Sequence, residues 1–198
     1  MEEKTFWNRI QQGDEAAFRQ LYEQYSEWLY GYGMKIVGNE DMVSEAIQTL
    51  FVYIFEKRTT CAEPDSIPAY LCVSLRHILI GELRKNNNRQ LKSIDDERAL
   101  DYDFDLEIDV EEAIIRSEVE REQLELLQKE LNGLTKQQRE VIYLRYYKKL
   151  SPDEIADVMG LTSRTVYNTT HTAMTRLRKT MGKASLVSML ANLIWIIN

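Results

Sequence analysis

Apolar residues recur along this chain every third or fourth position, in long stretches with little strict alternation, and that periodicity predicts helices throughout. A short first helix carries Phe6, Trp7 and Ile10 and leads to Gly13. A second, with Ala17, Phe18, Leu21, Tyr22, Tyr25, Trp28, Leu29, Tyr32 and Ile36, shows a nearly unbroken i, i+3, i+4 stripe that reads as core. Gly38-Asn39 interrupts the pattern, and a third helix follows with Met42, Val43, Ala46, Ile47, Leu50, Phe51, Ile54 and Phe55. Past a loop from Thr59 to Ile67, a fourth runs from about Pro68 to Lys85, with Leu71, Leu75, Ile78, Leu79 and Leu83 inside. A second helical module opens at about Glu111 with a helix to Leu131. Thr135 and Gln138 form a T-x-x-Q capping box, which starts a helix with Val141, Ile142 and Leu144 on its inner face.

The segment from Ser151 to Asn168 then reads as helix, tight turn, helix, the arrangement that lays its second helix in the major groove of DNA. Ser151 and Glu154 form an S-x-x-E capping box, and Pro152 falls at the first helical position, where its missing N–H costs nothing. Ile155, Ala156 and Met159 supply a packing stripe, and Gly160 supplies the positive φ that ends the helix. On the second helix Val166, Thr170, Ala173 and Leu177 share the inward face. Arg164, Tyr167, Asn168 and His171 share another, which we read, with Thr165, as the DNA-facing one, because Arg, Asn and His donate to base edges and phosphates. The run Arg176-Leu177-Arg178-Lys179 suits phosphate contacts.

Composition fits an all-α protein of two small helical domains: 198 residues, 44% hydrophobic, with only 8 Gly and 3 Pro. The modules span residues 1–92 and 113–182, joined by an acidic linker at 93–112 and followed by an apolar tail helix at 183–198. Net charge is −7, which by itself argues against nucleic acid, but its distribution reverses that impression. Residues 1–92 carry 11 Lys and Arg against 13 Asp and Glu, residues 93–130 carry 4 against 15, and residues 131–198 carry 10 against 4. The helix–turn–helix half is therefore basic, and binding to phosphates depends on that local patch. The linker interleaves carboxylates with Tyr102, Phe104, Leu106 and Ile108, a density of like charge that favours an extended, solvated segment. It is either a plain linker or a strap that occupies a partner's basic channel or shields the basic module.

The N-terminus lacks a basic segment followed by an apolar one, so a cytoplasmic location is expected. Cys61 and Cys72 make neither a metal set nor a disulfide framework, and reduced thiols are the simplest account. The tail from Ala184 to Asn198 is shorter than the roughly twenty apolar residues that cross a bilayer and lacks the basic face of an interfacial anchor, so no stable membrane insertion is expected. His77 and His171 are the only histidines, and there is no H-E-x-x-H, G-x-S-x-G or glycine-rich phosphate loop. We therefore expect no catalytic residue, metal, cofactor or small-molecule substrate.

Taken together, these residues resemble the extracytoplasmic-function class of RNA polymerase sigma factors, over about Thr5 to Gly182. Leu134-Thr135-x-x-Gln138-Arg139-Glu140-Val141-x-x-Leu144-Arg145-Tyr146, with Ile155-Ala156 and Thr165-Val166, is similar to the domain that reads the minus-thirty-five element, a pattern partly shared with LuxR-type regulators. Asp14-Glu15-Ala16-Ala17-Phe18-x-x-Leu21-Tyr22 resembles the opening of the core-binding domain, and Glu45-Ala46-Ile47-Gln48-Thr49-Leu50-Phe51-x-x-Ile54-Phe55 the helix that grips the polymerase clamp. Ala69-Tyr70-Leu71-x-x-x-Leu75-Arg76-His77, with Leu83-Arg84, is similar to the helix that engages the minus-ten element. Four positions depart from the family pattern. Thr49 stands where an acidic residue is usual, Phe55 where a Trp is, His77 where an Asn is and Gly81 where an Asp or Asn is.

The resemblance implies a protein that binds core RNA polymerase and promoter DNA, directs transcription initiation, and is held in check by an anti-sigma factor. It places polymerase docking at the exposed face around Glu45, Gln48 and Thr49, with Ile47, Phe51 and Ile54 buried. Base capture falls to the loop Thr59–Ile67 with Tyr70 and Arg76, although Tyr70 reads equally as core. Arg84 and Lys85 become phosphate contacts or, equally, solvated helix-end charges. The competing expectation is a helix–turn–helix regulator that binds DNA as a dimer without polymerase.

Overall fold

The computed structural model describes residues 2–87, Tyr102, residues 104–106 and residues 118–181, and every structural statement below concerns these. They form helices and connecting turns, with no strand among them, so the fold is all-α. The chain divides into two compact units, Met1–Asp103 and Phe104–Asn198.

The first unit holds α1 (Glu2–Gln11), α2 (Glu15–Val37), α3 (Glu40–Lys57) and α4 (Ile67–Asn87). Each boundary has a local cause. Asp14 caps α2 by accepting the backbone N–H groups of Ala16 and Ala17 at 3.0 and 3.1 Å. Gly38 closes the same helix in the left-handed region at φ 58°, and its N–H reaches the Met34 carbonyl at 2.9 Å. Asn39 then caps α3 through the Met42 N–H. The core is built from Leu21, Leu29 and Tyr32 of α2, Val43, Leu50 and Ile54 of α3, and Leu71, Leu75 and Leu79 of α4, with Trp7 and Ile10 of α1 closing one side. α2 and α3 approach closely at Gly33, where an added Cβ would lie 2.8 Å from Val43 Cγ1. The loop after α3 is held at Cys61, whose carbonyl accepts from Gln11 Nε2 at 2.7 Å.

The second unit holds α5 (Glu118–Asn132), α6 (Lys136–Ile142), α7 (Pro152–Met159) and α8 (Ser163–Met181). Both arms of the Thr135–Gln138 capping box form, at 3.0 and 3.2 Å. α6 runs on into a π-helical turn, Tyr143–Tyr147, which the sequence periodicity did not foretell. There the Tyr143 and Tyr147 rings stack at 4.7 Å and the buried Lys148 ammonium lies over both. α8 packs against α5, α6 and α7, and Leu127 and Leu131, Val141 and Leu144, Ile155 and Val158, and Ala173 and Leu177 are buried among them.

The acidic segment is not solvated throughout, which corrects the extended-linker expectation for the part described. Phe104 is fully buried and Leu106 nearly so. Phe104 meets Tyr143 edge-on at 5.5 Å, and its carbonyl accepts from Arg139 Nε at 2.8 Å. Gln128 Nε2 donates to the Leu106 carbonyl at 3.3 Å, while Asp105 faces solvent. The segment thus contributes side chains to the second unit's core. The rest of the linker, and the apolar tail at 183–198, lie outside the described residues.

A candidate nucleic-acid interface and an apolar groove

The helix–turn–helix is built as its residues dictate. Ser151 Oγ accepts the Glu154 N–H at 3.2 Å and Glu154 accepts the Ser151 N–H at 2.6 Å, which fixes the start of α7. Gly160 ends α7 at φ 62°, and Thr162 Oγ1 accepts the Thr165 N–H at 3.2 Å, opening α8. Ser163 Oγ donates to Asp153, tying the start of α8 to the start of α7. On α8, Val166, Ala173 and Leu177 are buried, and so is Met174.

Arg164, Tyr167, Asn168 and His171 are all exposed on one side of α8. Tyr167 is 66% exposed, and its ring lies parallel to that of His171 at 6.5 Å, an aromatic ledge between Arg164 and the helix C-terminal half. Thr165 is half-buried at the edge of this stripe. At 100° per residue, Arg178 and Lys179 continue the same side and both are exposed. Arg176 falls off it. Its guanidinium lies over Gly133, where an added Cβ would come within 2.3 Å of Nη2.

The α4 residues are placed differently from one another. Tyr70 is half-buried, edge-on to Trp7 at 5.5 Å, and its hydroxyl points at Cys61 Sγ, 4.0 Å away. Burial first, and then the neighbouring Cys61, push its pKa up to about 12. Arg76 is 8% exposed, and its Nη2 donates to the Tyr102 hydroxyl at 2.7 Å. Arg84 is half-buried, and Lys85 is exposed and paired with Glu82 at 2.6 Å. Of these four, only Lys85 is offered openly to a ligand in this state. Arg76 was expected at the surface, yet it shares a helix face with Cys72, Leu79 and Ile80, all buried.

On α3, Glu45, Gln48 and Thr49 are exposed, while Ile47, Phe51 and Ile54 are buried. Beside them α2 and α3 enclose a mainly apolar groove of about 960 Å³, lined by Phe18, Tyr22, Tyr30, Gln48, Phe51, Val52 and Phe55 among others. Tyr22 and Phe55, read from the sequence as core, are 47% and 42% exposed. Four rings support one another edge-to-face: Phe18 with Phe55 at 5.2 Å and with Phe51 at 6.2 Å, and Tyr22 with Phe51 at 4.9 Å. Sequence reasoning missed this groove, although the signal was present. Phe18 and Tyr22 sit one residue on from Ala17 and Leu21, so the apolar band of α2 is wider than a core-facing stripe requires.

The described residues thus offer a capped helix–turn–helix with a basic, aromatic exposed face and, in the other unit, an open apolar groove. Residues 124–177 match the sequence pattern of sigma-70 region 4. The chain is 26% identical over 164 residues to RNA polymerase sigma factor YlaC of Bacillus subtilis (strain 168), covering 83% of this chain and 91% of that protein. It is 24% identical over 169 residues to ECF RNA polymerase sigma factor SigX of the same organism, covering 84% of each. Its fold is shared with the sigma factor RpoE in complex with the anti-sigma factor NepR from Bartonella quintana, at a TM-score of 0.55 and 20% identity over 84% of this chain and 98% of that one. It is shared also with CnrH in complex with the cytosolic domain of CnrY, at 0.54 and 18% over 90% and 96%. On sequence and fold together, the chain is similar to the extracytoplasmic-function sigma factors. No helix among the described residues is long and apolar enough to cross a membrane.

Proposed function

We propose that this alternative sigma factor binds core RNA polymerase through its first unit, reads promoter DNA with both units, and leaves all covalent chemistry to the polymerase. The observation that carries this reading is the α8 stripe of Arg164, Tyr167, Asn168, His171, Arg178 and Lys179, exposed along a helix that two capping networks hold in place. Arg and Asn there suit bidentate base contacts, Tyr167 suits apolar contact with a thymine methyl, and the basic end suits phosphates. Arg176 serves as a phosphate contact only at the margin of that footprint.

In the first unit the docking surface is the α2–α3 groove with its rim. Glu45, Gln48 and Thr49 give the polar contacts, and Phe18, Tyr22, Val52 and Phe55 supply the apolar area for a partner helix. The minus-ten contacts fall to α4 and the loop before it, with Lys85 exposed, Arg84 and Tyr70 half-buried and Arg76 the least accessible. Working in this way, the protein acts in the cytoplasm, and an anti-sigma factor would restrain it by covering the same faces. The domain assignment follows: residues 1–92 bind core polymerase and the minus-ten element, and residues 113–182 bind the minus-thirty-five element. Each DNA module raises the effective concentration of the other, so neither needs to bind tightly alone.

Transcription with purified core polymerase on fragmented genomic DNA tests the proposal. Discrete start sites that require this protein are expected, and they should be lost with Arg164→Ala. A chain that never associates with core enzyme but binds palindromic DNA as a dimer would instead be a free-standing regulator, a reading that the sequence kinship does not favour.

A further inference from the structure

Among the described residues of the first unit, Arg76 is the only buried charged side chain. A guanidinium in an apolar stripe must be answered by acceptors or π faces, because its hydration has been lost. Tyr102 supplies both. Its hydroxyl takes the Arg76 Nη2 hydrogen bond at 2.7 Å, and its ring centroid lies 5.4 Å from the guanidinium carbon. No helix places Tyr102 there. It comes from the acidic segment, where Asp101, Asp103 and Asp105 alternate with Tyr102 and Phe104. A π face carrying an acceptor presents to a guanidinium what an unstacked base presents: a ring to stack on and an atom that accepts its hydrogen bond.

We propose that Tyr102 is a built-in competitor for nucleic acid, occupying on Arg76 the position that an unstacked base of single-stranded DNA takes when the chain engages a melted promoter. The inference rests on the reading of α4 as a DNA-engaging helix. In it, Arg76 is masked in the free protein rather than structural, and strand entry exchanges one ring for another at the same guanidinium. The apparent affinity for single strands is then reduced by the fraction of molecules in which Tyr102 is seated. Removing the ring abolishes the competition. Tyr102→Phe, which keeps the π face and loses the acceptor, weakens it only in part.

The test uses the full chain and a fluorescent pool of random-sequence single-stranded DNA, with binding read by anisotropy at low salt. Tyr102→Ala should bind the pool roughly three- to tenfold more tightly than the wild type, Tyr102→Phe should fall between, and Arg76→Met added to Tyr102→Ala should erase the gain. Unchanged or weaker binding by Tyr102→Ala overturns the proposal, and so does a gain that survives Arg76→Met. Because Arg76→Met alters a buried position, nitration of Tyr102 in the wild-type chain, read by mass spectrometry, gives a second measurement. Single-stranded DNA should increase Tyr102 nitration as the ring leaves Arg76, and an unchanged or decreased yield overturns the exchange. Retention on core polymerase, measured in parallel, separates the two readings: its failure sinks the sigma function while a Tyr102→Ala gain still upholds the competition.

Discussion

Replacing Phe104 by Ala asks whether the acidic segment is a tether or part of a core. Phe104 is fully buried, meets Tyr143 at 5.5 Å, and its carbonyl receives the Arg139 side chain. Truncating a buried Phe to Ala costs about 3–5 kcal/mol, transfer and residual cavity together. Its described chain neighbours Asp105 and Leu106 form no helix, so they can settle partly into the vacated space, and the lower end, about 3 kcal/mol, is expected. The exposed neighbour Asp105 is the control, since Asp105→Ala should change stability by less than about 0.5 kcal/mol. A single melting curve is the wrong assay for a chain of two compact units, because one midpoint does not report either of them. Native-state hydrogen exchange resolves them. Amides of α5, α6 and α8 should exchange about two orders of magnitude faster in Phe104→Ala, at about 1.4 kcal/mol per factor of ten, while those of α2–α4 keep their protection. Unchanged exchange in α5–α8 would mean that the segment only rests on the second unit, and the burial argument would fail.

Arg164→Ala should weaken binding to the cognate promoter by about 1–3 kcal/mol in a gel-shift series while leaving non-cognate binding nearly unchanged; a loss uniform across sequences would make it a phosphate anchor instead. Gly160 and Gly33 should respond to Ala for different reasons. At Gly160 an added Cβ meets nothing, so only the φ of 62° resists, at about 1 kcal/mol. At Gly33 the added Cβ lies 2.8 Å from Val43 Cγ1, and overpacking of about 1–3 kcal/mol should appear as loss of α2–α3 exchange protection, relieved by Val43→Ala. Asp14 is held below the usual carboxylate range, first by the Ala17 N–H and next by Arg9. A depressed native pKa contributes stability above the unfolded value near 3.8 and loses it as pH falls through the native one, so Asp14→Asn should flatten the first unit's stability profile below about pH 4 and leave its shape at pH 7 unaltered.

Most of the helical architecture was legible because it rests on local chemistry. Thr135 and Ser151 are caps by residue type and position, Gly38-Asn39 and Gly160 are breaks, and the stripes of α2, α3, α4 and α8 have helical spacing, whereas the caps at Asp14 and Asn39 were seen only in the fold. Besides the groove, three features were not read, each for a physical reason. The π-helical turn at Tyr143–Tyr147 leaves no periodic mark in five residues. Phe104 and Leu106 sat among so many carboxylates that charge density outweighed the one cue to their burial, two apolar residues at i and i+2 flanking an exposed Asp105. Arg76 was assigned to DNA by family resemblance, whereas its place on the Cys72–Leu79–Ile80 face already implied a buried side chain. Its partner, 26 residues further on, could not be deduced from spacing of any kind.

The groove shows why the boundary between core and docking surface is the hardest thing to draw from a pattern. Burial of Phe51 and half-exposure of Phe55, one helical turn apart, serve one structure. Phe51 anchors the edge-to-face cluster, and Phe18, Tyr22 and Phe55 are held open against it, with Arg58 lying over the Phe55 ring at 4.7 Å. Rings fixed by one another do not need to be ordered when a partner arrives, and the roughly 0.5–1.5 kcal/mol that each rotamer-rich side chain loses on immobilisation is largely avoided. On the proposed function, an apolar surface kept rigid in this way suits a subunit that exchanges partners: area enough to bind, without a rearrangement to slow release. The same preorganisation lets a competing helix use the groove equally well. On the proposed function, the face that docks on the polymerase is therefore, by its own physics, the face at which the protein is most easily restrained.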